Sequence, residues 1–192
     1  KKTRNHNNPD QKETSRHRNL FSGKKMSMKR NYYCLVAGLP DIKIDDTKLS
    51  FTEIDFKNEL RYELHKNDFK LIKDLFLTYD NENFLFLLSD ETKGEFNEKG
   101  NFSKKFFQEE IREPEKLPGY LRTFLIAYKE KTPIYKNMSW QNQLLSLYYG
   151  YILKIKNTFV HNWFRMELDL KNIQTAQLCR KFNLSVKDNI VG

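Results

Sequence analysis

The sequence predicts a mainly α-helical protein, a helical bundle with one long C-terminal helix and little or no β-structure. Three observations lead there. Apolar positions run from Leu145 through Tyr148, Ile152, Ile155, Phe159, Trp163, Met166 and Leu170 to Ile173 at a mean spacing of 3.5 residues, the seam of a long helix on near-parallel neighbours. Residues suited to helix starts precede several shorter apolar periods. The chain has no strong period-two alternation, no βαβ rhythm and no fixed-period repeat.

Residues 31–39 (NYYCLVAGL) form a short apolar run closed by Pro40-Asp41, either a buried strand or a short helix, since periodicity does not decide at this length. Ser50 followed by Glu53 is a capping-box pattern that starts a helix over 51–65, with Ile54, Leu60 and Leu64 inward. Asn67-Asp68 caps the next helix, which carries Phe69, Leu71, Ile72, Leu75, Phe76 and Tyr79 and is broken by Asn81-Glu82-Asn83. Residues 84–88 then read as a buried helical turn, and Gly94 and Gly100 bound a charged loop. Ser103 caps a short helix to Arg112 with Phe106, Phe107 and Ile111 inward, ended by Pro114 and Pro118. Pro118 suits the first position of a helix through Tyr128, because that position needs no N–H, and Thr132-Pro133 stops it. Ser139 precedes the long periodic segment, for which Asn183 is the expected stop.

Charge is distributed unevenly. The first thirty residues hold ten Lys/Arg and two acids, and so carry eight of the nine net positive charges. Residues 1–27 lack the apolar content to offset chain entropy and read as a disordered basic leader, either an arm for nucleic acid or anionic lipid, or sequence upstream of a start at Met26 or Met28. The helical domain is placed at 28–192. No apolar run of eighteen residues is present; residues 144–160 are interrupted by Lys154 and Lys156. Cys34 and Cys179 lie far apart without a partner pattern, which points to a reducing, cytoplasmic setting with both thiols acting as small apolar residues.

No constellation predicts catalysis, a cofactor or a metal. The four histidines, His6, His17, His65 and His161, have no ligand spacing with other Cys, Asp or Glu, and there is no phosphate loop and no nucleophile elbow. Asp41, Asp45 and Asp46 read as a solvated connector rather than a cation site. The unusual polar residues are those of the long helix. Arg165 with Asp169, and Glu167 with Lys171, are spaced as i,i+4 ion pairs, yet Glu167 and Asn172 flank the seam and are equally placed for interhelical contacts or for fixing helix register.

Two stretches resemble known proteins. NYYCLVAGLPDI at 31–42 resembles the opening of a bacterial family of uncharacterised proteins encoded among the V-type ATPase genes where a recognisable C-subunit is otherwise missing. ELDLKNIQTAQLCRK at 167–181 is similar to a helical signature of the C-subunit of V-type (A-type) ATP synthases, whose eukaryotic counterpart is the d-subunit. In it, acid-x-acid-x-x-Asn-Ile/Leu leads to a basic pair, here Glu167, Asp169, Asn172, Ile173, Arg180 and Lys181. HKNDFKLI at 65–72 is a partial echo without the Asn, and Gly38-Leu39-Pro40 departs from the long first helix of the C-subunit. The resemblance implies a non-catalytic linker between the central rotor stalk and the membrane proteolipid ring. Such a protein has no cofactor and no small-molecule substrate, and it meets the membrane only through the complex. The family's proteins are longer, which implies a C-terminally truncated chain here. Glu167, Asp169, Asn172 and Arg180 are the expected contact or register residues. The competing expectations are a nucleic-acid-binding protein using the basic arm, a helical assembly or adaptor protein, and an enzyme whose site leaves no sequence pattern.

Overall fold

A computed structural model describes residues 31–45, 51–89 and 94–192. Among them are eight α-helices and no strand: α1 (Tyr33–Ala37), α2 (Glu53–Glu63), α3 (Lys66–Leu75), α4 (Leu77–Leu88), α5 (Lys104–Arg112), α6 (Gly119–Lys129), α7 (Trp140–Ile152) and α8 (Thr158–Lys181). The mainly helical class is therefore observed. The leader, Met26, Met28, Asp46 and the proposed cap Ser50 lie outside the described residues.

The chain divides into two units, Lys1–Asp41 and Ile42–Gly192. In the first, residues 33–37 of the apolar run form α1, closed by the Gly38 N–H on the carbonyls of Cys34 and Leu35. The run takes the short-helix alternative, with none of its five helical residues buried; the Cys34 thiol is exposed and not the small apolar residue expected, while Cys179 in the second unit is buried.

The second unit is built on α6 and α7, its most extensively packed helix pair, with α4, α5 and α8 around them. Phe84 of α4 meets Phe107 of α5 and Phe124 of α6 at centroid separations of 5.3 and 6.4 Å. Tyr148 of α7 meets Phe164 of α8 edge-on at 6.0 Å. All five rings are essentially inaccessible to solvent. Removing a side chain such as Phe124 from such a site costs about 3–5 kcal/mol.

Helix starts follow local chemistry. Ser103 and Ser139 accept from the N–H of Phe106 and Asn142, as their positions predict. Pro118 is the N-cap of α6, one residue before the helix rather than its first residue. The stop at Asn183 is also observed. Asn183 adopts φ 54°, and the Leu184 N–H reaches back to the Cys179 carbonyl at 2.8 Å. The capping box of α2 is displaced by two residues: Thr52 accepts from the Asp55 N–H and Asp55 accepts from the Thr52 N–H. The cap of α3 is His65, whose Nδ1 accepts from the Asn67 N–H, rather than Asn67-Asp68.

Two larger corrections come from tertiary contacts. Asn81-Glu82-Asn83 does not break a helix; it lies inside α4, and the boundary falls at Phe76. Both asparagines are buried, and their amides find partners outside the helix: Asn81 Oδ1 accepts from Tyr120 Oη at 2.7 Å, and Asn83 brackets the Asn97 backbone with two bonds of 2.7 and 2.8 Å. These bonds override the weak local preference of Asn for turns. The predicted long helix over 145–173 is two helices. Asn157 accepts from the Val160 N–H at 3.1 Å and restarts the chain as α8, and His161 Nδ1 lies 2.9 Å from the Leu153 carbonyl across the break.

The loop over 97–102 is held by side chains. Asp80, fully buried, accepts the N–H groups of Asn101 (2.7 Å) and Phe102 (3.1 Å) on Oδ1 and the Asn101 side-chain amide (2.7 Å) on Oδ2. Lys57 Nζ donates to the carbonyls of Lys99 and Gly100 at 2.9 and 2.8 Å. Gly100 permits this approach, since a Cβ there would lie 2.6 Å from Asp80 Oδ1 and 3.2 Å from Asn83 Nδ2. Gly100→Ala should therefore lose about 1–3 kcal/mol in urea unfolding. Gly150→Ala, with nothing within 4 Å in the last turn of α7, should gain about 0.4–1 kcal/mol.

Burial raises the Asp80 carboxyl above its ordinary value of 3.8, while its N–H donors and Lys57 pull it down. The folded state thus holds the proton more tightly than the unfolded chain. Its stabilisation is full below the ordinary value and is lost as pH rises through the raised one. Wild type should lose stability relative to Asp80→Asn as urea midpoints are followed upward from about pH 4. A gain relative to the variant would mean that the donors outweigh burial.

Candidate functional site

No group of His, Cys, Asp or Glu among the described residues is arranged to hold a metal ion. Asp41 and Asp45 are exposed, as the solvated-connector reading expects. The feature that stands out is α8, which carries apolar rows on two faces. Val160, Phe164, Leu168 and Cys179 are buried against the rest of the unit. Phe159, Trp163, Met166, Leu170 and Ile173, the predicted seam, are 75, 46, 51, 52 and 55 % exposed. At 3.6 residues per turn the two rows lie on roughly opposite sides of the helix.

The seam assignment therefore holds on α7, where Tyr148 and Ile152 are buried, and fails on α8. The break over residues 153–157 resets the helical phase, so a row continuous in sequence is not continuous in space. The buried row was hidden because its spacing leads through Asn172, a residue that reads as surface.

The four expected residues fall into three situations. Glu167 is half-buried and accepts from Tyr149 Oη at 2.9 Å, joining α8 to α7. This contact takes the place of the Lys171 pair expected one turn away. Burial first, and then the bond to Glu167, push the Tyr149 hydroxyl well above its ordinary pKa. Asn172 binds the C-terminal segment: its Nδ2 donates to the Val191 carbonyl at 2.7 Å and its Oδ1 accepts from the Val191 N–H at 2.9 Å. Both bonds go to the segment around Val191 and neither to a second helix. Asp169 and Arg180 are exposed. Asp169 meets Arg165 Nε at 3.6 Å, a surface pair that contributes about 0.3–0.5 kcal/mol. Arg180 stands in the last turn of α8, where a cation complements the helix dipole.

Sequence reasoning missed a set of buried polar residues that fasten loops. Glu110 accepts the N–H groups of Lys116 and Leu117 at 2.7 and 3.0 Å. Gln143 accepts from the Ile134 N–H at 2.7 Å and donates to the Met138 carbonyl at 2.9 Å. The exposed Lys129 adds a surface contact, its Nζ donating to the Ile111 carbonyl at the end of α5. The available signal was polar residues at inward positions of apolar helices, above all Asp80-Asn81 and Asn83 in LTYDNENFLFLL.

Sixteen buried apolar side chains form one cluster that includes Val191, so the strap is part of the core. Asn172→Ala should remove about 1–3 kcal/mol and abolish hydrogen-exchange protection of the Val191 amide. Asp169→Ala should stay within about 0.5 kcal/mol of wild type and leave that amide protected.

Comparison with known proteins yields no matching curated protein and no matching solved structure. A family described as protein of unknown function, DUF2764, matches residues 28–192. The chain, with its two-faced α8 and its strapped core, belongs to the DUF2764 family.

Proposed function

We propose that this protein is a non-catalytic subunit of a V-type ATPase, a linker like the C-subunit between the central rotor stalk and the membrane proteolipid ring, and that the outer row of α8 receives a helix of a neighbouring protein of the complex. The observation that carries the reading is that row: five large apolar side chains, four turns long, spaced 4, 3, 4 and 3 residues apart and open to solvent. Spacing with a mean of 3.5 suits a near-parallel helix with side chains interlocked across the seam. The likeness of residues 31–42 to a family encoded among V-type ATPase genes, and of residues 167–181 to the C-subunit, supports this choice of complex.

Magnitudes support membership of a larger assembly. Burying the exposed half of five such side chains contributes on the order of 4–8 kcal/mol. Association costs about 4–15 kcal/mol in lost freedom of motion. One helix seam therefore gives weak binding by itself and becomes firm when other contacts hold the same protein in place. On this reading the protein is cytoplasmic and meets the membrane only through the complex. Among the described residues no helix is long and apolar enough to cross a membrane.

The experiment is affinity recovery from cells that express the chain with the other V-type ATPase proteins. Tagged wild type should recover stalk or ring proteins. Leu170→Asp combined with Met166→Asp, both on the open face, should leave the circular dichroism spectrum unchanged and lower recovery at least about tenfold. Wild type that recovers neither stalk nor ring proteins defeats the proposal. Undiminished recovery by the double variant removes α8 as the docking face.

A further inference from the structure

A second feature lies away from α8. Side chains of α2 and α3, with Asn101 of the loop, border an open hollow of about 390 Å³ lined by Lys57, Asn58, Arg61, Phe69, Lys73 and Asn101. Three of these are cations, two are amides and none is an acid. The chain at large does not explain that composition, because only one of the nine net positive charges lies beyond residue 30.

The frame of the hollow is fixed. Lys57, partly buried, donates from Nζ to the Lys99 and Gly100 carbonyls at 2.9 and 2.8 Å, so it gives the hollow charge more than free donors. The Asn101 side-chain amide donates to the Lys73 carbonyl at 2.9 Å and to Asp80 Oδ2 at 2.7 Å. These bonds tie α2 and the end of α3 to one loop. Arg61, one turn beyond Lys57 on α2, and Lys73, in the last turn of α3, are exposed. Their side chains make no ion pair or hydrogen bond among the described residues.

Acids close by do not answer these charges. Asp80 is near enough to Lys57, and Asp74 to Lys73, to be felt electrostatically, yet both are buried and neither lines the hollow. Like charges one turn apart, as Lys57 and Arg61 are, repel each other. Burial first, and then the charge of Lys73, disfavours the Lys57 ammonium. An anion among the three cations removes this repulsion and meets the unused donors of Arg61 and Lys73.

Phosphate suits the site better than a carboxylate. A phosphate monoester carries about −1.5 to −2 charges near neutral pH and three strong acceptor oxygens. Arg grips phosphate through paired N–H donors, and Lys binds it as a point charge. The volume lies within the roughly 300–1,000 Å³ of small-molecule sites, which leaves room beside Phe69 for the organic part of an ester.

We propose that the hollow between α2, α3 and Asn101 binds the phosphate group of a phosphate monoester, gripped by Arg61 and Lys73 over the charge of Lys57. The ester is either a soluble metabolite or a lipid headgroup. The site is independent of the docking row on α8.

The test is isothermal titration calorimetry of the full chain with glycerol phosphate at fixed ionic strength, beside acetate. A second arm measures co-sedimentation with phosphatidylcholine vesicles containing phosphatidic acid, a monoester, or phosphatidylglycerol, an anionic diester. Saturable binding in the first arm identifies a soluble ester; binding to phosphatidic acid vesicles alone identifies a lipid headgroup. In either case Arg61→Gln combined with Lys73→Gln should leave the circular dichroism spectrum unchanged and weaken binding at least about tenfold. Lys136→Gln, exposed and outside the hollow, should change binding less than about twofold. The proposal is overturned if neither monoester binds more tightly than its control anion. It is equally overturned if the double variant binds undiminished, which would assign the binding to the basic residues 1–30.

Discussion

Asp80 is a carboxylate sealed from solvent in the first turn of α4, and its two oxygens take two backbone N–H groups and one amide from a single loop. Much of the second unit is consistent with keeping that arrangement intact. Gly100 has no side chain because the carboxylate occupies the space a Cβ would need. Lys57, whose ammonium is disfavoured by burial, holds the carbonyls of the same turn and supplies positive charge near Asp80. Asn83, less than one turn further along α4, holds Asn97 at the other end of the loop. A buried carboxylate with these donors is tolerable; with one removed it becomes an uncompensated charge, and the loop and α4 are thermodynamically tied.

The same device recurs. Glu110, Gln143 and Asn172 each turn a side-chain oxygen onto the backbone N–H of an irregular segment, and Gln143 and Asn172 also donate to a carbonyl of the segment they hold. Short helices that bury modest apolar area gain definition this way, because the connections between them are hydrogen-bonded from the core and do not depend on their own turn chemistry. The Val191 strap makes the consequence visible: two hydrogen bonds to the Asn172 side-chain amide carry an apolar residue into the main cluster.

Against this internal order, α8 has two different roles on its two sides. Its inner row is committed to packing, and Glu167 and Asn172 at its edges are used within the chain. Its outer row has no such use among the described residues, and its regular spacing is what a helix partner would read. The polar residues that the likeness to the V-type linker brings forward therefore divide: Glu167 and Asn172 stabilise the fold, and Asp169 and Arg180 remain on the surface where a partner can meet them.

The sequence by itself determined the helical class, the starts at Ser103 and Ser139 and the stop at Asn183. Each depends on interactions within a few residues of the chain, where an N-cap oxygen or a left-handed residue has the same effect in any surroundings. Tertiary structure alone decided which row of α8 faces inward, and whether Asn81 and Asn83 end a helix or anchor one. It also decided that the apolar period over 145–173 is interrupted near Asn157. The roles of Asn81 and Asn83 depend on partners 14 to 39 residues away, Asn97 for Asn83 and Tyr120 for Asn81. Hydrophobic periodicity states that a face is apolar, but α8 has two such faces, and only the packing of α7 and the Val191 strap selects between them.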